Sequence, residues 1–185
     1  MNEIIFFGLN QYPILLKNEP NKITKPIQFK FENENEKQIK QISSDIQNQN
    51  PSKIQIKENI QKVTVGVGNE VILTIEGNVF AKGEDINPNN PNEFINISSL
   101  IEDKNDRVIQ DIVSGYETIY LLTSNQNAYG IGDNEYGQLG FDSETLKKTE
   151  KPILMMKNVS KIFSGINSDH VFLLNSNQEL FVMRK

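Results

Sequence analysis

Residues 130–144, GIGDNEYGQLGFDSE, offer two kinds of chemistry: Gly130 and Gly132 could approach a phosphate, and Asp133, Glu135, Asp142 and Glu144 could hold a cation. A dinucleotide loop works only where a strand feeds a helix whose first amides face the pyrophosphate. The residues after Gly132 have no helical apolar spacing, which argues against that use. A calcium loop of the EF-hand kind needs oxygen ligands at alternate positions and glycine at the sixth. Counted from Asp133, the glycine falls at the fifth, Gly137, so the carboxylates read as a solvated acidic loop. His170 is the single histidine, so neither a zinc site built on histidines nor a two-histidine acid–base pair can form within one chain. The absence of cysteine removes disulfides, thiolate metal sites and a cysteine nucleophile. No catalytic residue, metal or cofactor is expected.

What must position these side chains is bounded by composition. A chain of 185 residues suits one ordinary domain. A net charge of −5 argues against a surface that tracks nucleic-acid phosphates, which needs an excess of Lys and Arg. The apolar run Ile4, Ile5, Phe6 and Phe7 is too short for a signal peptide, and no stretch approaches the roughly 18 apolar residues that span a bilayer. A soluble cytoplasmic or nuclear protein is expected, with no membrane or nucleic-acid partner.

The organisation is a repeat. GVGNEVILTIEGNVFAKG, 66–83, aligns without a gap with GYETIYLLTSNQNAYGIG, 115–132, at an offset of 49 residues. Gly66 falls on Gly115, Leu73 on Leu122, Phe80 on Tyr129 and Gly83 on Gly132. A third copy begins at Gly165, with Leu174 under Leu122 and Phe181 under Tyr129 at an offset of 52. A partial copy opens the chain, where Phe7, Gly8 and Asn10 match Ile131, Gly132 and Asn134, and Pro26–Ile27 echo Pro152–Ile153. The apolar runs are short, rich in β-branched and aromatic residues, and bounded by Gly, Asn and Ser, which is strand rather than helix patterning. In the clearest copy the strands are expected near 109–114, 118–123, 127–131 and 152–156, with a hairpin near 124–126. Units of about fifty residues holding four antiparallel strands are propeller blades. Their recurring glycines serve sharp turns and close backbone approach between blades. Phe6, Phe7, Phe80, Tyr129, Phe172 and Phe181 are expected to fill the blades.

These residues resemble the regulator of chromosome condensation repeat. Gly115, Leu122, Thr123, Ala128, Tyr129, Gly132, Asn134 and the block Gly137, Gln138, Leu139 and Gly140 fit its pattern, and His170 stands at the position of the repeat histidine. Asn69 and Thr118 occupy that position in the other copies, which suits a polar side chain bonded at a strand start. The resemblance implies an all-β, incomplete β-propeller of about three to three and a half four-stranded antiparallel blades. A partial blade is expected over 1–31, a polar insertion over 32–60, blades over 61–108 and 109–157, and an incomplete last blade over 158–185. The insertion reads as a solvated loop, with an interaction segment or a short helix as the alternative. An open arc leaves unpaired strand backbone and uncovered blade faces. Three resolutions stay open: a fragment of a longer propeller, completion by a second chain, or a free-standing arc. The resemblance implies a non-enzymatic module that binds another protein as an adaptor or regulator. Its alternative is guanine-nucleotide exchange on a small GTPase. Asp133, Glu135, Asp142 and Glu144 are the candidate partner-facing positions.

Overall fold

The computed structural model describes the strands at 4–6, 27–29, 40–41 and 52–53 and residues 56–184. The chain forms two compact units, Met1–Asn59 and Ile60–Lys185. In the first, β1 (Ile4–Phe6) pairs antiparallel with β2 (Ile27–Phe29), and β3 (Lys40–Gln41) with β4 (Ser52–Lys53). Phe6 lies opposite Ile27, the register that Gly130 and Ile153 adopt in the second unit, so the partial repeat at the start of the chain uses the same pairing. Gly8 and most of the segment 32–60 lie outside the described residues.

The second unit consists of three antiparallel sheets whose strands follow one another in chain order. The first holds β5 (Ile60–Val65), β6 (Asn69–Thr74), β7 (Val79–Gly83) and β8 (Ile95–Asn96). The second holds β9 (Ile109–Ser114), β10 (Thr118–Thr123), β11 (Ala128–Asp133) and β12 (Lys148–Met156). The third holds β13 (Val159–Phe163), β14 (Val171–Asn175) and β15 (Leu180–Met183). The second hairpin of each sheet closes on a three-residue loop whose last member is left-handed: Gly77 at φ 84°, Gln126 at 62° and Gln178 at 65°. β12 begins four residues before the expected start at Pro152, so proline lies inside the strand. It is tolerated because β12 is the outer strand of its sheet, and the register against β11 shifts between Gly130 and Gly132.

Side chains alternate across each strand, and both sides of the second sheet are occupied. Ile119 and Leu121 of β10 pack with Val71, Leu73, Val79 and Ala81 of the first sheet, together with Ile109, Ile112, Tyr129 and Ile131. Tyr120 and Leu122 of the same strand pack the other way, against Val159, Ile162, Val171 and Leu173 of the third sheet. Every residue of β10 is therefore buried, which explains a run, TIYLLT, with no polar alternation. Hereafter the side of a sheet that faces the next sheet in sequence is its forward face, and the other its rear face.

Backbone bonds stitch the sheets at both ends. The Ile109 N–H donates to the Gly77 carbonyl at 2.9 Å, and the Val159 N–H repeats the bond to Gln126 at 2.7 Å. At the opposite end the Glu117 N–H donates to the Val67 carbonyl at 3.1 Å and the Tyr116 N–H to Ser168 at 3.0 Å. Gly66 and Gly115 make this second seam possible. A Cβ on Gly66 would collide with the Gly115 carbonyl oxygen, and one on Gly115 would sit 2.8 Å from the Ser168 carbonyl oxygen.

The aromatic positions divide. Tyr129 is buried and Phe80 half-buried, but Phe172 and Phe181 are exposed at 37% and 38%. The physical reason is that the third sheet has no following sheet and no fourth strand among the described residues. Gly66→Ala should overpack the seam and lower stability by about 1–3 kcal/mol. Urea denaturation measures it, and an unchanged midpoint would contradict the close approach.

Candidate functional site

The block that carries the repeat likeness builds a loop. Asn134, fully buried after β11, donates through Nδ2 to the carbonyls of Phe141 at 3.1 Å and Leu146 at 2.6 Å, and its Oδ1 accepts from the Leu139 N–H at 2.8 Å. Gln138, also buried, donates through Nε2 to Asp133 Oδ2 at 2.8 Å and accepts from the Tyr136 N–H at 2.9 Å. Leu139 enters the core between the second and third sheets. These polar side chains replace the ladder bonds that the chain gives up on leaving the strand, so the loop is held without regular secondary structure.

That loop presents charge. Asp133 is half-buried and also accepts from the Glu135 N–H at 3.2 Å; Glu135, Asp142 and Glu144 are exposed. Asp142 caps its own turn by accepting from the Glu144 N–H at 3.0 Å. Close to Asp133 lie carboxylates that the sequence reading passed over: Glu84 and Asp85 after β7, and Glu117 in the turn before β10. Burial, followed by the fields of Asp85, Asp133, Glu84 and Glu135, holds the Glu117 carboxyl above its ordinary range. Asp85 is offset in part by Lys148 Nζ at 3.6 Å. Asp133 and Glu135 are thus brought together with acidic groups of the preceding sheet, whereas Asp142 and Glu144 are not among the groups acting on Glu117. The signal that could have revealed this is the repeat itself, because Glu84 and Asp133 both follow an aligned glycine.

The polar side chain that begins the second strand of each sheet turns back onto its own loop. Asn69 Nδ2 donates to the Val67 carbonyl at 3.3 Å, and Thr118 Oγ1 to Tyr116 at 3.0 Å and Asp133 at 3.2 Å. His170 lies 3.2 Å from Ser168 Oγ through Nδ1 and meets the Phe172 ring edge-on at 5.5 Å.

The sequence reading also missed Asp106, which lies in the link between the first two sheets. It is 3% exposed and accepts from the Tyr129 hydroxyl at 2.7 Å, Asn127 Nδ2 at 2.8 Å and Asn125 Nδ2 at 3.1 Å. Burial pushes its carboxyl up, but the three bonds and nearby Lys157 outweigh this and hold it below the ordinary range. It stands at an open groove of about 960 Å³ whose walls include Lys148, Lys151 and Lys157. Among the described residues no cluster of three or more His, Asp or Glu is suited to hold a metal ion, and no helix is long and apolar enough to cross a membrane.

Sheets of three or four antiparallel strands, stacked face to face and joined in chain order, define a β-propeller array, here an incomplete one. Residues 109–138 match the model of the regulator of chromosome condensation (RCC1) repeat, so the chain carries that repeat in its second sheet. The fold is similar to that of human WBSCR16, with a TM-score of 0.59 and 14% identity over 74% of this chain and 36% of that one. It is also similar to a chain of the structure of Kap60 bound to yeast RCC1 (Prp20), with a TM-score of 0.52 and 22% identity over 72% of this chain and 32% of that one. The chain therefore spans about a third of the length of these structures. A sequence search of curated proteins finds no match.

Asp106 makes a prediction about pH. Because its carboxyl is lowered in the folded state, its contribution is present above the ordinary Asp value of about 3.9 and is lost as pH falls through the lowered value. Asp106→Asn should cost roughly 1–3 kcal/mol at neutral pH. The gap to the parent should narrow as pH falls below the ordinary Asp value of about 3.9. Urea titrations across pH measure it, and a gap that stays constant would contradict the assignment.

Proposed function

We propose that this chain is a non-enzymatic propeller-repeat module that binds another protein through the loops at the end of the sheets where Glu84, Asp85, Glu117, Asp133 and Glu135 converge. The observation that carries the reading is electrostatic. Burial first, and then the fields of carboxylates from loops of two successive sheets, hold the Glu117 carboxyl above its ordinary range. Loops of this kind suit recognition, because the strands fix their position while their side chains are free to vary. Clustered like charge costs folding energy unless a partner of opposite charge offsets it, and such clusters chiefly set association rate and partner choice. The partner is therefore a protein with a basic contact surface. An adaptor or regulatory role in the cytoplasm or nucleus is consistent with this. The likeness to a structure of yeast RCC1 bound to Kap60 is in keeping with a fold that presents a protein-binding surface.

Two measurements test the reading. Affinity capture from cell extract should yield at least one protein that is depleted about tenfold or more when Asp133→Lys and Glu135→Lys are combined. An unchanged set of captured proteins would contradict it. Incubation with a nucleotide-loaded small GTPase should leave nucleotide release at its intrinsic rate. Acceleration would replace the binding-only reading by guanine-nucleotide exchange.

A further inference from the structure

We propose that the outer edge of the second sheet takes up an extended peptide, which pairs with β12 as an added strand and sets a basic side chain against Glu102 and Asp103. This surface is separate from the loops around Glu117, and the proposal does not rest on them. β12 is paired with β11 on one side and, among the described residues, with no strand on the other. It lies at the far side of its sheet from β9, whose Asp111 meets Lys62 of β5 at 2.7 Å. Sheets that succeed one another in this array cover faces, as the first and third cover the two faces of the second, and they leave that outer edge untouched.

The first sheet shows how such an edge can be closed. Its outer strand, β8, is two residues long, and the chain folds straight back over it. Ser99 Oγ donates to the Asn96 carbonyl at 2.7 Å, and Asn96 Oδ1 accepts from Ser98 Oγ at 2.7 Å and from the Ser99 N–H at 3.0 Å. β12 is nine residues long and is closed only at its start. There Thr149 Oγ1 donates to the Lys151 carbonyl at 2.7 Å and accepts from the Lys151 N–H at 3.2 Å, and Pro152 has no N–H to offer. From Ile153 to Met156, among the described residues, no hydrogen bond from outside the sheet reaches the backbone. Unpaired edge backbone is the template on which an extended peptide adds.

The groove of about 960 Å³ runs beside this edge. β12 forms one wall from Lys148 to Leu154, and the link before β9 forms the other with exposed Glu102 and Asp103 and buried Asp106. Asp106 is held by its three donors, and Lys148 has Asp85 at 3.6 Å. Glu102 and Asp103 form no ion pair among the described residues, and exposed Glu150 adds a further carboxylate to the groove. The charge of the link wall is thus left for an occupant. Side chains of an extended chain alternate between its two faces, so a peptide on β12 turns every second one toward the link, where lysine or arginine complements the carboxylates. Lys148 and Lys151 on the opposite wall repel a peptide that is basic at every position, which makes the alternation selective.

The test is nuclear magnetic resonance of the full chain, titrated in about 0.15 M salt with a synthetic peptide of about ten residues that alternates lysine with threonine. Saturable binding below about 1 mM is expected, with the largest amide shifts at Ile153–Met156. Combining Glu102→Lys with Asp103→Asn, which keeps the turn at Asn105 capped, should weaken it about tenfold or more. Only alternate residues of an added strand direct their N–H to the neighbour. N-methylation of the peptide at one set of alternate residues should therefore abolish binding, while the other set should tolerate it. Combining Asp133→Lys with Glu135→Lys should leave the affinity unchanged, which separates this edge from the acidic loops. Circular dichroism confirms that each variant keeps its β structure. Absence of saturable binding up to about 1 mM overturns the proposal, as does equal tolerance of N-methylation in both sets. So does binding that ignores the Glu102 and Asp103 substitutions or is lost with those at Asp133 and Glu135.

Discussion

Burial of β10 on both faces is the constraint on which the rest of the structure depends. A single twisted antiparallel sheet of short strands has two sides, and Ile119 and Leu121 on one side, Tyr120 and Leu122 on the other, leave neither side fit for water. The second sheet therefore needs a neighbour in each direction. The glycine seams and the backbone bonds from Ile109 to Gly77 and from Val159 to Gln126 fix how near those neighbours come. Stability in such an array is approximately a sum over sheets and their interfaces, so each sheet's order is borrowed from the next. The rear face of the first sheet carries the Glu70–Lys82 ion pair where the second sheet has Ile119 and Ile131.

Much of this was legible in residues whose role is local or repeated. The strands at 109–114 and 118–123 were readable to the residue because their apolar runs are bounded by Ser, Gly and Thr. The hairpin at 124–126 follows from polar residues between two such runs. The role of Gly66 and Gly115 as close-approach positions followed from the repeat, since a residue type preserved across copies at a loop points to backbone geometry. The start of β12 was not legible. Lys148, Thr149, Glu150 and Lys151 look like loop, and they extend because β11 offers them a ladder, a tertiary effect overriding propensity. Burial of Phe172 and Phe181 was misjudged for the same kind of reason, because periodicity says which side a residue faces but not whether anything lies opposite.

The proposed binding surface was half legible. Asp133 and Glu135 stood out as a local cluster, while Glu84, Asp85 and Glu117 are distant in sequence and meet them only through the stacking of two sheets. Asp106 carries no repeat signal at all, and its importance comes from three donors supplied by the next sheet's hairpin and β11. The Asn134 block lies at the opposite pole. It is the strongest family signal in the sequence, and its conspicuous residues hold a loop in place while less conspicuous neighbours face outward.

Hydrogen exchange on the full chain, with and without Tyr120→Ala, tests the stacking most directly. Tyr120 contributes its side chain to the interface with the third sheet, yet belongs by sequence and by pairing to the second. Interdependent sheets predict that amides of Thr118–Thr123 exchange slowest in the parent, and that the substitution accelerates exchange in Val159–Phe163 and Val171–Asn175 as well as in its own sheet. Acceleration confined to the second sheet, with the third exchanging as before, would mean that the sheets are stable one by one and would contradict the account.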